Sequence, residues 1–154
     1  MKTKTIITEL SQEDLVNLLC TATYGSNWLS CHAPDREGVY ITEDDCREDV
    51  WAKCLLAGKK ITCTDHYAES CVYGENEDFN ICEDGDVEYN ISLQDIIKGL
   101  QKCSDGTFVD AEKYSDKGFV ARCLNDFAND GDNWDYFEGD ALMQIILFGE
   151  LIYG

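Results

Sequence analysis

The sequence predicts an α+β fold: about five helices packed on a small, mainly antiparallel sheet, joined by acidic loops. Three observations lead there. Segments with apolar residues at helical spacing are interleaved with short runs of period two. The two kinds of segment do not follow the strict strand, helix, strand order of a nucleotide-binding sheet. Leu, Ile, Val and Phe make up 37 of the 154 residues, above the level that marks disorder, and a chain of this length has little room for two cores, so residues 1–154 are read as a single domain.

In chain order, Thr3–Thr8 reads as a first strand. Ser11 is a good N-cap, with Glu13 and Asp14 in the first turn, and Leu15, Leu18, Leu19 and Ala22 follow at helical spacing up to Gly25. Trp28 and Leu29 fall in a connection that also holds Pro34, the only proline, before a short strand expected at Gly38–Ile41. A second helix is expected over Asp45–Ala57, burying Val50, Trp51, Cys54 and Leu55 and ending with Gly58 just past its last turn. Ile61–Thr64 is the next strand, and the acidic, glycine-bounded stretch Gly74–Gly85 reads as an exposed loop or an irregular hairpin.

Val87, Tyr89 and Ile91 alternate with polar residues as a half-buried strand does. Ser92 then caps a third helix carrying Leu93, Ile96, Ile97, Leu100 and Cys103, closed by the Asp105-Gly106 turn. Phe119, Val120, Cys123, Leu124 and Phe127 mark a fourth helix. After an acidic, aromatic loop at Asn129–Gly139, Asp140 is the expected cap of a last helix, apolar nearly all round and so placed at the centre of the core.

Charge is the most informative feature. The chain carries 31 Asp and Glu against 12 Lys and Arg, a net charge of −19. Residues 35–49, 75–88 and 126–140 together hold −18 of it, with Arg36 and Arg47 their only bases. Direct binding to nucleic acid or to an anionic membrane is therefore disfavoured. The partner that fits is a basic nucleic-acid-binding protein, such as a nuclease effector. Duplex DNA presents a charge about every 1.7 Å, so 18 charges match roughly 31 Å of duplex, within the span of about 40 Å that a compact chain of this length offers. The residues expected to meet such a partner are Glu43, Asp44, Asp45, Glu48 and Asp49 in the first segment. In the second they are Glu75, Glu77, Asp78, Glu83, Asp84, Asp86 and Glu88. In the third they are Asp130, Asp132, Asp135 and Glu138 with the aromatic anchors Trp134 and Tyr136. The plainer reading is also open: acids in first helical turns complement the helix dipole, and Trp and Tyr also fold inward to close a core.

Other chemistries leave weak traces. The EF-hand template places Asn80, Cys82 and Ile91 at positions 1, 3 and 12 when Gly85 is the central glycine, and Ala128 and Phe137 at positions 3 and 12 when Gly131 is, so the closing glutamate is missing from both. Cys63 and His66 are the only closely spaced soft ligands, with Cys54 and Cys71 outside them as the remaining members of a zinc alternative. No CxxC, GxGxxG, GxSxG or HExxH pattern occurs. A non-catalytic protein without cofactor is expected, with a metal-binding or enzymatic domain and a merely solvated regulatory module as alternatives.

The nine cysteines are odd in number and most lie beside apolar neighbours, as in Leu19-Cys20 and Ile81-Cys82, which suits buried free thiols in a reducing compartment. Only Ile6 and Ile7 follow Lys2 and Lys4 before Thr8 and Glu9, so no secretory apolar run is seen and a cytoplasmic location is expected. The longest apolar run, Ile145–Gly149, is far short of a membrane span.

Two segments, Leu18 to Leu29 (LLCTATYGSNWL) and Leu142 to Gly154 (LMQIILFGELIYG), resemble small acidic proteins encoded by phages and other mobile elements of bacteria. In overall character the chain is similar to DNA-mimicking anti-restriction and anti-CRISPR inhibitors. The resemblance implies an inhibitor working in the bacterial cytoplasm against a host defence nuclease, and it carries no functional position over to this chain.

Overall fold

The computed structural model describes residues 7–109, 116–129 and 134–153. Ser11 caps α1 (Gln12–Gly25) through a reciprocal box in which its hydroxyl accepts from the Asp14 N–H and the Asp14 carboxylate accepts from the Ser11 N–H. The same box, Ser92 with Asp95, opens α3 (Leu93–Asp105). Between them lie β1 (Leu29–His32), α2 (Arg47–Leu56), β2 (Ile61–Asp65), β3 (Phe79–Ile81) and β4 (Val87–Ile91). After α3 come α4 (Asp116–Ala128) and α5 (Tyr136–Phe148). The five helices and the antiparallel four-stranded sheet, in the order β1-β2-β4-β3, make the fold α+β.

Strand alternation divides the sheet into two unlike faces. Leu29, Cys31, Ile61, Cys63, Val87, Tyr89 and Ile91 share one face by register and enter the core. Ser30, His32, Thr62, Thr64, Glu88 and Asn90 share the other. The helices supply the rest of the core. Contacts among α1, α3, α4 and α5 centre on α5, whose Ala141, Leu142, Met143, Ile145, Leu147 and Phe148 are all buried. This all-round burial is why its sequence shows no polar stripe. Backbones of α1 and α5 meet closely where glycine allows it: a Cβ on Gly139 would lie 2.8 Å from Thr21 Cγ2 and 2.9 Å from the Ala22 nitrogen.

Local structure departs from the expectations in four places. Of the expected strand Thr3–Thr8, residues 3–6 lie outside the described residues, and Ile7 and Thr8 are not in a strand. Gly38–Ile41 is not a strand either; Gly38 has φ of +76° and the Val39 N–H bonds the Arg36 carbonyl, which makes a turn. The strand of this region is instead β1, formed because Leu29–His32 finds a partner in β2. Finally, α5 is capped by Asp135, which accepts from the Glu138 N–H at 3.3 Å, five residues earlier than expected. Asp140 is inside the helix, its Oδ1 accepting from Trp28 Nε1 at 3.0 Å and from Gln144 Nε2 at 2.8 Å.

Candidate functional site

The first and third acidic segments converge on the C-terminal end of α1. Arg47, at the start of α2, lies with its guanidinium 5.2 Å from the centre of the Tyr24 ring, and the Tyr136 Cβ packs directly on Gly25. Tyr24, Tyr136 and Phe137 are 64, 57 and 80% exposed, so three large rings face solvent where three helix ends meet. Glu43 and Asp44, both exposed, precede Arg47 on one flank, and exposed Asp135 caps α5 on the other.

The second segment leads elsewhere. Gly74, next to Glu75, abuts the Leu147 and Phe148 carbonyls at the C-terminal end of α5. That is about 18 Å along the helix axis from Tyr136, at 1.5 Å per residue. Glu75 and Glu77 line a cavity of about 690 Å³ there, together with Lys60, Asp78, Lys98 and Lys102. Glu83 and Asp84 are exposed in the β3–β4 turn.

Several of the expected partner-facing acids have internal work. Glu48 is buried and accepts from Arg47 Nε at 2.8 Å, while Glu138 is buried beneath the start of α5; neither projects to a partner, because both sit on the inward side of a helix first turn. Asp45 accepts from Lys53 Nζ at 2.6 Å and from the Thr42 N–H at 2.8 Å. Lys53 and the Thr42 N–H hold the Asp45 carboxyl below its usual range. Asp49 accepts from the Cys46 N–H that precedes α2. Asp78 is bonded by Lys60 and Asn90, and Glu88 by Asn80. Trp134 turns inward, donating to Thr21 Oγ1 at 3.0 Å and packing at a tilt against the Phe127 ring. Asp130 and Asp132 lie outside the described residues.

Besides Glu48, the Asp65 and Glu138 carboxyls are buried. Burial raises the Asp65 carboxyl above its usual value, although the Tyr153 hydroxyl reaches both of its oxygens at 2.9 and 2.8 Å and the Tyr67 N–H bonds Oδ1 at 3.0 Å. Burial pushes the Glu138 carboxyl up to about 7, with the Asp126 carboxylate beside it adding to the rise. Its Oε2 has no hydrogen-bond partner among the described residues.

The zinc alternative is separated by strand geometry. Cys63 points into the core, its Sγ 3.5 Å from that of Cys31, whereas His66 faces out. Among the described residues no three His, Cys, Asp or Glu side chains converge as a metal site. All nine cysteines are free thiols. What His66 meets was not anticipated: Ser30 Oγ at 2.7 Å from Nε2, and Asp86 Oδ2 at 2.7 Å from Nδ1. These three residues are 20 to 56 positions apart, and only the strand register brings them together.

No family model, curated protein or solved structure matches the chain. No helix among the described residues is long and apolar enough to cross a membrane.

Proposed function

We propose that the chain is an interaction protein that docks a basic nucleic-acid-binding protein without doing chemistry on it, a host defence nuclease being the partner that best fits its charge. The observation that carries this reading is the patch at the C-terminal end of α1, where Tyr24, Tyr136 and Phe137 stand exposed between acids contributed by two distant segments. Exposed aromatic rings supply buried area at little entropic cost once covered, and a rim of carboxylates steers a cationic surface toward them. The nine free thiols fit action in the cytoplasm of a bacterial host. Glu75, Glu77, Glu83 and Asp84 extend the negative field away from the patch and add to long-range attraction.

The test is capture of the partner from a bacterial lysate at about 50 and 200 mM salt, the range over which phosphate-like contacts weaken sharply. Wild type is expected to retain a basic nucleic-acid-binding protein at the lower salt and to release it to competing duplex DNA. Glu43→Lys with Asp44→Lys, or Tyr24→Ala with Phe137→Ala, should abolish retention while leaving the fold intact, since all four side chains are exposed. Retention indifferent to salt, DNA and both double variants would refute the reading.

A further inference from the structure

The outer face of the sheet carries a second grouping, independent of the docking patch. β2 and β4 pair with Ile61 opposite Ile91 and Asp65 opposite Val87, so one step beyond the strand ends His66 stands opposite Asp86. β1 pairs with β2 so that Ser30 faces Thr64, two residues from His66 and on the same face. The outcome is a linear relay, Ser30 Oγ to His66 Nε2 at 2.7 Å and His66 Nδ1 to Asp86 Oδ2 at 2.7 Å. With the carboxylate accepting at Nδ1, the neutral ring carries its proton there, and Nε2 is left as the acceptor for the serine hydroxyl. The imidazole is fixed at its base as well, because the His66 N–H donates to the Trp28 carbonyl at 2.8 Å.

We infer that Ser30, His66 and Asp86 form a nucleophilic site for carboxylic esters, with Ser30 as nucleophile, His66 as general base and Asp86 as the group that orients it. The parts meet the geometric requirements of such a site: nucleophile bonded to base, base bonded to orienting carboxylate, at distances that need no rearrangement. Exposure rises in the right direction, the Asp86 side chain being 21% exposed and the His66 side chain 42%.

Main-chain donors adjoin the nucleophile. The His66 to Trp28 bond makes that pair a hydrogen-bonded one, so by antiparallel alternation Ser30 with Thr64 and His32 with Thr62 are the next. The N–H groups of Leu29 and Cys31 then point off the outer edge of β1, which is an edge strand. Cys31 is the residue after the nucleophile, the position from which acyl-transfer sites commonly donate to the oxyanion.

The step balances as follows. Ser30 Oγ bonds the ester carbonyl carbon while its proton passes to His66 Nε2, and the carbonyl electron pair moves onto oxygen. Return of that pair breaks the bond to the alkoxy oxygen, which leaves as the alcohol with the proton from Nε2. Water repeats the sequence on the acyl-serine and releases the acid. Glu88 shares the outer face opposite Thr64, and exposed Glu83 and Asp84 lie in the turn that leads to Asp86, so uncharged or cationic esters are the substrate class and anionic ones are repelled.

The test uses an alkyl fluorophosphonate, which phosphonylates an activated serine, and p-nitrophenyl acetate as substrate. Intact mass and peptide mapping should show one adduct, on Ser30, and none in Ser30→Ala. His66→Gln and Asp86→Asn should each slow labelling and ester hydrolysis by at least about 100-fold, the latter because an amide no longer fixes the proton on Nδ1. An anionic p-nitrophenyl ester should turn over about tenfold more slowly than the acetate at low salt. Ser30 and His66 are exposed, so the circular dichroism of these variants should match wild type. Absence of an adduct, an adduct at another residue, or a Ser30 rate unchanged by His66→Gln would overturn the assignment.

Discussion

Asp65 and Glu138 are both buried carboxyls in one small core, yet their surroundings treat them differently. Asp65, at the end of β2, receives the Tyr153 hydroxyl on both oxygens and the Tyr67 N–H. The tail that brings Tyr153 there is itself held, because the Gln144 amide bonds the N–H groups of Ile152 and Tyr153 and the Tyr153 carbonyl. Glu138, at the start of α5, has an Oε2 without a partner among the described residues and the Asp126 carboxylate as neighbour. A buried carboxylate with donors is tolerated as an anion; one facing another carboxylate is driven toward its neutral form. The first region is a satisfied polar network, and the second is a place where stability depends on protonation.

The largest expected effect follows from that second region. The Glu138 carboxyl is raised in the folded state to about 7 from an ordinary value of 4.5, so folding favours its protonated form. The resulting stabilisation is full below pH 4.5, declines as pH rises toward 7 and is absent above it, a change of about 3 kcal/mol by linkage. Glu138→Gln should flatten this part of the profile and make the protein more stable than wild type at pH 8, as measured by urea unfolding at pH 5 and pH 8. A wild-type profile that does not fall between those values would place the proton elsewhere.

Removing the donor in the first region tests the other half of the contrast. Tyr153→Phe leaves the buried Asp65 with one main-chain donor and should cost about 2 kcal/mol, read as a lower urea midpoint at pH 7. Lowering the pH should partly restore the variant, because a protonated Asp65 needs the hydroxyl less. Next comes Gly139→Ala, which sets a methyl against Thr21 and Ala22 and should cost about 1 to 2 kcal/mol after the helix-propensity gain is subtracted. It would show that close backbone packing helps to hold the Glu138 end of α5 against α1. The smallest effect is expected for Thr21→Val, which keeps the shape and removes the acceptor of the Trp134 indole, at about 1 kcal/mol. A thermal midpoint unchanged in this variant would mean that Trp134 is held by its contact with Phe127 alone.

The same contrast separates what local pattern reveals from what it hides. Ser11 with Asp14 and Ser92 with Asp95 are legible because a capping box closes within three residues. The apolar spacing of α3 and α4 is legible for a similar reason, since 3.6-residue periodicity is a property of the segment itself. At α5 two aspartates, Asp135 and Asp140, precede the same apolar run, and the seating of Gly139 on α1 makes the earlier one the cap. The acidic patch was half legible: charge density marked its segments, but Glu48 and Glu138 are indistinguishable from their exposed neighbours until the helices are packed. Ser30, His66 and Asp86 left no trace in spacing, because their proximity depends on two strand registers at once.

By itself, then, the sequence determined the α+β class, the positions of most helices and strands, and the concentration of charge, all of which follow from interactions within a few residues or from composition. Only the tertiary structure decided that β1 is a strand, that two of the three acidic segments meet around exposed rings, and that one carboxyl is satisfied while another is left facing its like. The physical reason is range: hydrogen-bonded caps and amphipathic periods are local, whereas strand partners, helix crossings and the desolvation of a charge are set by residues far away along the chain.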